Sequence, residues 1–269
     1  MIPKSYPSGR EGPVAILSRI EEALAAATEI LRGLSPAELA VEQKAGAGPV
    51  SQADRLVDDL LRRQLPSDGD GWLSEETRDD PDRLSKRRVW VVDPLDGTQE
   101  FLDGIPEWAV SIGLIEDGRA VAGGVANPAT GELFLGSVET GVTYNGRAVR
   151  VTHREAIDGA LVLASRSEFA RGEWERCRGR PFTVKRVGSV AYKLALVAAG
   201  LADATWTLVP KHEWDVAAGV ALVLAAGGAV QTLDGARPQF NRLPPTFTGL
   251  SACSPELQAA VQRELKPIS

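Results

Sequence analysis

Residues 88–98 read Arg88-Val89-Trp90-Val91-Val92-Asp93-Pro94-Leu95-Asp96-Gly97-Thr98. The apolar run 89–92 predicts a buried strand, and two aspartates flanking a rigid Pro-Leu pair follow at its end. Carboxylates at a strand end can converge on one point when a cation lies between them, because the cation offsets the cost of burying their charge. Gly97 and Thr98 add N–H groups and a hydroxyl where a short helix is expected to begin, which is typical of an anion site. The pattern indicates adjoining metal and phosphate sites. The alternative is that the two aspartates only shape a turn.

Other carboxylates stand at the edges of apolar elements elsewhere in the chain. Glu75 follows the predicted strand 72–74, and Asp215 opens an alanine-rich helix. Asp54 lies on the side of its predicted helix that should face inward. Each has a plainer interpretation alone, as a solvated charge or as an acid at a helix N-terminus. Together with Asp93 and Asp96 they form a set of hard oxygen donors, which favours Mg²⁺ over zinc.

Composition narrows the class of protein. The chain has 269 residues, 43% of them hydrophobic, and a formal charge of −6. This is enough apolar material for one large domain or two modest ones, and the acidic balance argues against a nucleic-acid polymer or a membrane as partner. Two cysteines and two histidines leave little for a disulfide framework, a zinc site or a Ser-His-Asp triad. The start has no apolar signal-like segment, so a cytoplasmic protein is expected.

The order of elements predicts an α+β fold in two sub-domains. Residues 1–12 are expected to form a flexible tail. Residues 13–154 carry two helices and then an antiparallel meander, with Asn145-Gly146 as a hairpin signal. Residues 155–269 alternate strand and helix, which predicts a smaller α/β half that completes the active site.

Three segments resemble signature motifs of the inositol monophosphatase superfamily. They are Leu73-Ser74-Glu75-Glu76, Trp90-Val91-Val92-Asp93-Pro94-Leu95-Asp96-Gly97-Thr98-Gln99-Glu100-Phe101 and Glu213-Trp214-Asp215-Val216-Ala217-Ala218-Gly219. The resemblance implies a layered α/β/α/β/α sugar-phosphatase fold. It also implies a Mg²⁺-dependent, lithium-sensitive phosphomonoesterase that hydrolyses its ester with an activated water molecule.

The same resemblance assigns metal ligands. Glu75, Asp93 and the Leu95 carbonyl would hold a first Mg²⁺, and Asp93, Asp96 and Asp215 would hold a second. Two or three ions per site are therefore expected.

Catalytic and phosphate-binding roles also come from the resemblance. Glu75 and Thr98 would orient and deprotonate the attacking water, with Asp54 assisting at a third, weaker metal position. The backbone N–H groups of Gly97 and Thr98 would bind the substrate phosphate.

The substrate class rests on finer likenesses. The motif around Leu95 and Glu100-Phe101 is similar to that of the 3′(2′),5′-bisphosphate nucleotidases of the CysQ type, which convert adenosine 3′,5′-bisphosphate to AMP. The segment 188–193 is similar too, so Gly188, Ser189 and Lys193 are expected to bind substrate, with Lys193 directed toward the cleft. Inositol monophosphatases place a sugar-contacting glutamate seven residues before the last ligand, where this chain has Leu208.

One departure points the other way. Ser165 and Arg166 match substrate-binding positions of the nucleotidases, but Glu168 replaces their histidine and is expected to repel a second phosphate unless Arg166, Lys193 or a metal offsets its charge. The alternatives are therefore an inositol-1-phosphate or sugar-phosphate phosphatase acting on esters such as fructose 1,6-bisphosphate, and, in another class, a non-catalytic binding protein of the same fold. The expected partner is a small phosphate ester, and the protein is expected to be a monomer or a homodimer.

Overall fold

Two β-sheets separate three layers of helices in the computed structural model, which describes residues 11–33, 42–43, 49–50 and 52–265. Most of the predicted tail therefore lies outside the described residues. The first two helices are α1, Pro13–Arg32, and α2, Gln52–Gln64. Proline is compatible with the first turn of α1 because its missing N–H would have no partner inside the helix there. A two-stranded pair, β1 at Glu42–Gln43 and β2 at Pro49–Val50, falls between the helices along the chain.

The larger sheet has seven strands that follow one another in chain order. They are β3 (Gly71–Ser74), β4 (Arg88–Asp96), β5 (Ala109–Glu116), β6 (Arg119–Asn127), β7 (Glu132–Ser137), β8 (Gly141–Tyr144) and β9 (Arg147–Val149). Neighbouring strands pair antiparallel except β3 and β4, which are parallel. The antiparallel arrangement expected from the sequence therefore holds for every pair but this one. The predicted hairpin is confirmed, since Asn145 and Gly146 both have the positive φ angles that its tight turn requires.

The smaller sheet has five strands in the order β11-β10-β12-β16-β14. They are β10 (Leu161–Ser165), β11 (Thr183–Val187), β12 (Ala204–Thr207), β14 (Ala229–Thr232) and β16 (Leu250–Cys253), and a separate pair is formed by β13 (Lys211–His212) and β15 (Thr246–Phe247). The remaining helices are α3 (Thr98–Leu102), α4 (Arg166–Ala170), α5 (Val190–Ala198), α6 (Glu213–Ala225) and α7 (Gln258–Leu265). Strands β10, β11 and β12 are parallel, so their carboxyl ends lie at one edge of this sheet.

Successive side chains along a strand point to opposite faces of the sheet, so each face packs against a different layer of helices. In β4, Trp90 and Val92 pack in a core with α1 and α2, whereas Val89 and Val91 pack on the opposite face with α5 and α6. Helix α6 lies very close to the larger sheet: a Cβ atom at Gly113 would lie only 2.7 Å from the Cβ of Ala217, so the absence of a side chain at Gly113 allows this approach.

The other face of the α5/α6 layer packs on the smaller sheet, whose outer side is covered by α7. The expected α/β/α/β/α order is confirmed. The chain passes from the larger sheet to the smaller one between residues 149 and 161. The sub-domain boundary near residue 155 stays a prediction. No helix within the described ranges is both long and apolar enough to cross a membrane.

Candidate active site

Strand β4 continues past its apolar run and carries Asp93 into the interior. Asp93 is 1% exposed, and its Oδ1 accepts a hydrogen bond from the backbone N–H of Leu95 at 3.0 Å. The pairing of β4 with β5 is irregular between Asp93 and Asp96, as at a β-bulge, and resumes where Asp96 lies opposite Ala109. Thr98 donates its hydroxyl proton to the Leu95 carbonyl at 3.0 Å. Asp93 therefore does shape a turn, but this occupies only one of its two oxygens.

Asp96 connects this turn to the C-terminal half. Its Oδ2 accepts hydrogen bonds from the Ser189 hydroxyl at 2.7 Å and from the Ala191 N–H at 2.6 Å. Ser189 caps α5, as expected, by accepting from the Tyr192 N–H. The first turn of α5 thus lies against the loop after β4, although the two segments are more than 90 residues apart in the chain.

Lys193 is buried below this cap rather than extended into the cleft. Its Nζ donates to the carbonyls of Ser189 at 2.8 Å and of Val187 at 3.3 Å. Burial lowers the pKa of Lys193 to about 8, with the negative charge of Asp96 opposing that shift. In this arrangement Lys193 supports the turn at Ser189, which has a left-handed φ of 51°.

Carboxylates from four segments lie in one region, where their negative charges repel one another. Desolvation and then the charge of Asp215 raise the pKa of Glu75 to about 8. Desolvation and then Asp96 raise the pKa of Asp215 to about 7. Desolvation and then Glu75 raise the pKa of Asp93 well above its ordinary value, and Asp54, itself buried, adds to the effect on both Glu75 and Asp93. The Glu75 side chain is exposed to solvent, yet protein surrounds it closely enough to desolvate its carboxylate.

This donor set fits a hard divalent cation by its chemistry. The Asp215 Oδ2 accepts from the His212 N–H at 2.8 Å, so Asp93, Asp96 and Asp215 each have one oxygen held by the backbone and a second oxygen for a cation. Ser111 of β5 lies directly opposite Asp93 of β4, and its buried hydroxyl has no hydrogen-bond partner among the described residues. Among all the residues that the structure describes, no three acidic, histidine or cysteine side chains are close enough together to chelate a metal ion as they stand. Coordination would therefore need rotations of these side chains.

The loop that would hold phosphate is tightly packed. Gly97 has a φ of 95°, and a Cβ atom there would lie 3.2 Å from the Glu107 carbonyl oxygen and from Trp108. Glu107 in turn accepts from the Gly188 N–H at 2.8 Å and from Arg166 Nε at 2.5 Å. The phosphate loop and the two predicted substrate segments of the C-terminal half therefore meet at Glu107, a residue that the sequence analysis did not identify.

Ser165 and Glu168 have structural contacts in α4. Ser165 caps α4, and Glu168 is fully buried. The Glu168 carboxylate accepts hydrogen bonds from the Thr207 hydroxyl and from Trp174 Nε1, and it lies 3.9 Å from Lys211 Nζ. The expectation that Glu168 repels a second phosphate in the cleft is wrong, because its carboxylate is enclosed and hydrogen-bonded inside the C-terminal half.

A second set of residues that sequence reasoning missed joins the segment 79–83 to the segments at residues 213 and 241–242. Arg83, whose side chain is 1% exposed, binds both oxygens of Asp79 and donates to the Asn241 side chain and the Arg242 carbonyl. The Asn241 and Arg242 N–H groups bind the carboxylate of Glu213, two residues before Asp215. No local sequence signal marks this network, since its members are up to 159 residues apart.

Two tryptophans flank the segment that leads to Asp215, and their contacts differ. Trp206 is buried and stacks on Trp174 at 5.0 Å, so it belongs to the core. Trp214 is half-buried and stacks on the exposed His212 ring at 4.3 Å. Of the two, only Trp214 borders the candidate site.

Comparison with known proteins places the chain in a family. The model of the inositol monophosphatase family matches residues 15–267. The chain is 37% identical to the inositol-1-monophosphatase of Mesorhizobium japonicum, over 76% of this chain and 79% of that protein. It is 34% identical to the 3′-phosphoadenosine 5′-phosphate phosphatase of Mycobacterium bovis, over 76% and 77%.

A solved structure agrees with these matches. The extragenic suppressor protein suhB of Bartonella henselae superimposes with a TM-score of 0.80 at 30% identity, covering 95% of this chain and all of that one. This chain belongs to the inositol monophosphatase family of phosphatases.

Proposed function

We propose that this protein is a Mg²⁺-dependent phosphomonoesterase that acts on 3′(2′),5′-bisphosphate nucleotides. The observation that carries the phosphatase chemistry is the group of Glu75, Asp93, Asp96 and Asp215 beside the loop at Gly97, in which desolvation and neighbouring negative charges raise the pKa of Glu75, Asp93 and Asp215. Such a group is stabilised by hard cations, and a cation there would bind a phosphate ester that the acidic chain would otherwise repel.

The roles that the resemblance implies for the residues are compatible with their contacts. Bound Mg²⁺ would supply Lewis-acid activation of water and neutralise charge on the phosphate. Because the Thr98 hydroxyl donates a hydrogen bond to the Leu95 carbonyl, its oxygen is left to accept a hydrogen bond from the attacking water and so to orient it. Glu75, the most solvent-accessible of the four carboxylates, takes up the water's proton. The N–H groups of Gly97 and Thr98 orient the phosphate.

Two observations favour a bisphosphate nucleotide. Leu208 offers no group to bind a sugar hydroxyl at the position where the inositol phosphatases are expected to have a glutamate. The Glu168 carboxylate is buried and hydrogen-bonded to Thr207 and Trp174, so it does not contact a second phosphate directly. Arg166, about one third exposed beside the cleft, is the cation available to that phosphate.

A phosphate-release assay tests the proposal. The purified protein is given adenosine 3′,5′-bisphosphate, inositol 1-phosphate and fructose 1,6-bisphosphate in parallel, with Mg²⁺ and with EDTA. We expect Mg²⁺-dependent release with the highest kcat/KM for the bisphosphate nucleotide, and inhibition by Li⁺. Preference for inositol 1-phosphate would overturn the substrate assignment and keep the chemistry, whereas no release from any ester would overturn both.

A further inference from the structure

We propose that Asp58 is a positioning residue that holds the loop carrying Glu75 in its reactive orientation. This inference rests on the proposed function, because it assumes that Glu75 acts on the metal and the attacking water. Asp58 lies one turn after Asp54 on α2 and is 5% exposed. The two aspartates share the inner face of the helix, but only Asp54 is among the charges that raise the pKa of Glu75.

Asp58 binds the residues on both sides of Glu75. Its Oδ1 accepts the Ser74 hydroxyl at 2.5 Å, and its Oδ2 accepts the Thr77 hydroxyl at 2.5 Å. One carboxylate therefore spans the four-residue segment 74–77, at the end of β3. Outside a regular element, such a segment needs side-chain contacts of this kind to keep one backbone conformation.

The direction of each proton explains why a carboxylate is needed. The Ser74 oxygen accepts from the Glu76 N–H at 3.3 Å, and the Thr77 oxygen accepts from Trp72 Nε1 at 3.4 Å. Both hydroxyls donate their own protons to Asp58, so the acceptor must offer two oxygens and no donor. An asparagine offers one oxygen only, and it would lose one of the two hydrogen bonds.

The test compares Asp58→Asn and Thr77→Val with Asp59→Asn, a control at the exposed neighbouring position on the same helix. The measurements are kcat and KM for phosphate release, Mg²⁺ affinity by titration calorimetry on the metal-free protein, and thermal stability. Loss of a residue that orients a ligand typically costs about 10- to 100-fold in metal affinity or activity. We expect a drop of that size in kcat and in Mg²⁺ affinity for both variants, with KM for the ester little changed and the control like the parent.

The outcomes separate the two claims. An active parent whose Asp58→Asn and Thr77→Val variants keep parental kcat and Mg²⁺ affinity would overturn the positioning role and leave the proposed function standing. An inactive parent that binds Mg²⁺, with weaker binding in both variants only, would support the positioning role and overturn the proposed function. A parent that neither binds Mg²⁺ nor releases phosphate would overturn both. Thr77→Val preserves shape and the buried charge, so it decides the matter if Asp58→Asn folds poorly.

Discussion

Replacing Asp215 by asparagine should stabilise the metal-free protein at neutral and alkaline pH. Asp215 begins the buried helix α6, and desolvation together with the charge of Asp96 raises its pKa from 3.8 to about 7. Its ionised form is therefore less favourable in the folded chain than in the unfolded chain. Asparagine has nearly the same shape, and its oxygen can still accept the hydrogen bond from the His212 N–H. The substitution thus removes the charge without removing the helix cap.

The size and sign of the effect follow from linkage. Because the folded-state pKa is raised, the folded protein binds the proton more tightly, and stability is lost as pH rises from about 3.8 to about 7. The full shift corresponds to about 4 kcal/mol in the free energy of unfolding. Asp215 is partly exposed to solvent, whose screening reduces this to about 2 kcal/mol. For a chain of this size that difference is about 5 °C in Tm.

The assay is thermal unfolding in EDTA from pH 4 to pH 8, followed by circular dichroism. The advantage of Asp215→Asn over the parent should be smallest at pH 4 and widen until about pH 7. Asp68→Asn, at an exposed position, is the control and should show no such widening. Saturating Mg²⁺ should reverse the order, because ligand binding stabilises the parent more. A parent as stable as the variant at pH 8 in EDTA would refute the argument that Asp215 carries an unfavourable buried charge.

Three further predictions concern the phosphate loop and the network at Arg83. Gly97→Ala should strain the left-handed turn against Glu107 and lower both stability and activity, and unchanged Tm and kcat would contradict the packing described here. Thr98→Ala should lower kcat with little change in Tm, and Thr98→Ser should restore most of it; equal rates for the two variants would remove the hydroxyl from the mechanism. Arg83→Lys should cost about 2–3 kcal/mol in denaturant unfolding, since one ammonium cannot replace the forked contacts with Asp79 and the 241–242 segment, and a loss below about 1 kcal/mol would show that the network is not needed for stability.

The sequence predicted the elements with strong local patterns. Helix α1, strand β11 and the hairpin at Asn145-Gly146 follow from apolar periodicity and turn residues, and all are present. It did not predict β16, a run of Leu250-Ser251-Ala252-Cys253 that pairs between β12 and β14 inside the smaller sheet. One leucine followed by three small residues has no distinctive period, and the place of the strand depends on partners in β14 and β12 that lie far from it in the chain.

Some features of the candidate site were likewise predictable from the local sequence, and others were not. Asp93, Asp96, Gly97 and Thr98 stand together because one strand and one turn carry them, so their proximity is a local property of the chain. The direction of Glu168 was not predictable, since its carboxylate binds Thr207, 39 residues away in the chain. Lys193 instead turns back to the carbonyls of Ser189 and Val187, just before it in the chain.

The sequence by itself determined which carboxylates are candidates for the site, because each stands at the edge of an apolar element and most lie in motifs that resemble those of the family. Only the tertiary structure decided how they act on one another: the layers bring α5 and α6 against β4 and β5, so that Ser189 reaches Asp96 and Asp215 joins the charges around Glu75. The physical reason is that electrostatic and hydrogen-bond energies depend on distance through space and on burial, and both are set by packing between segments far apart in the chain.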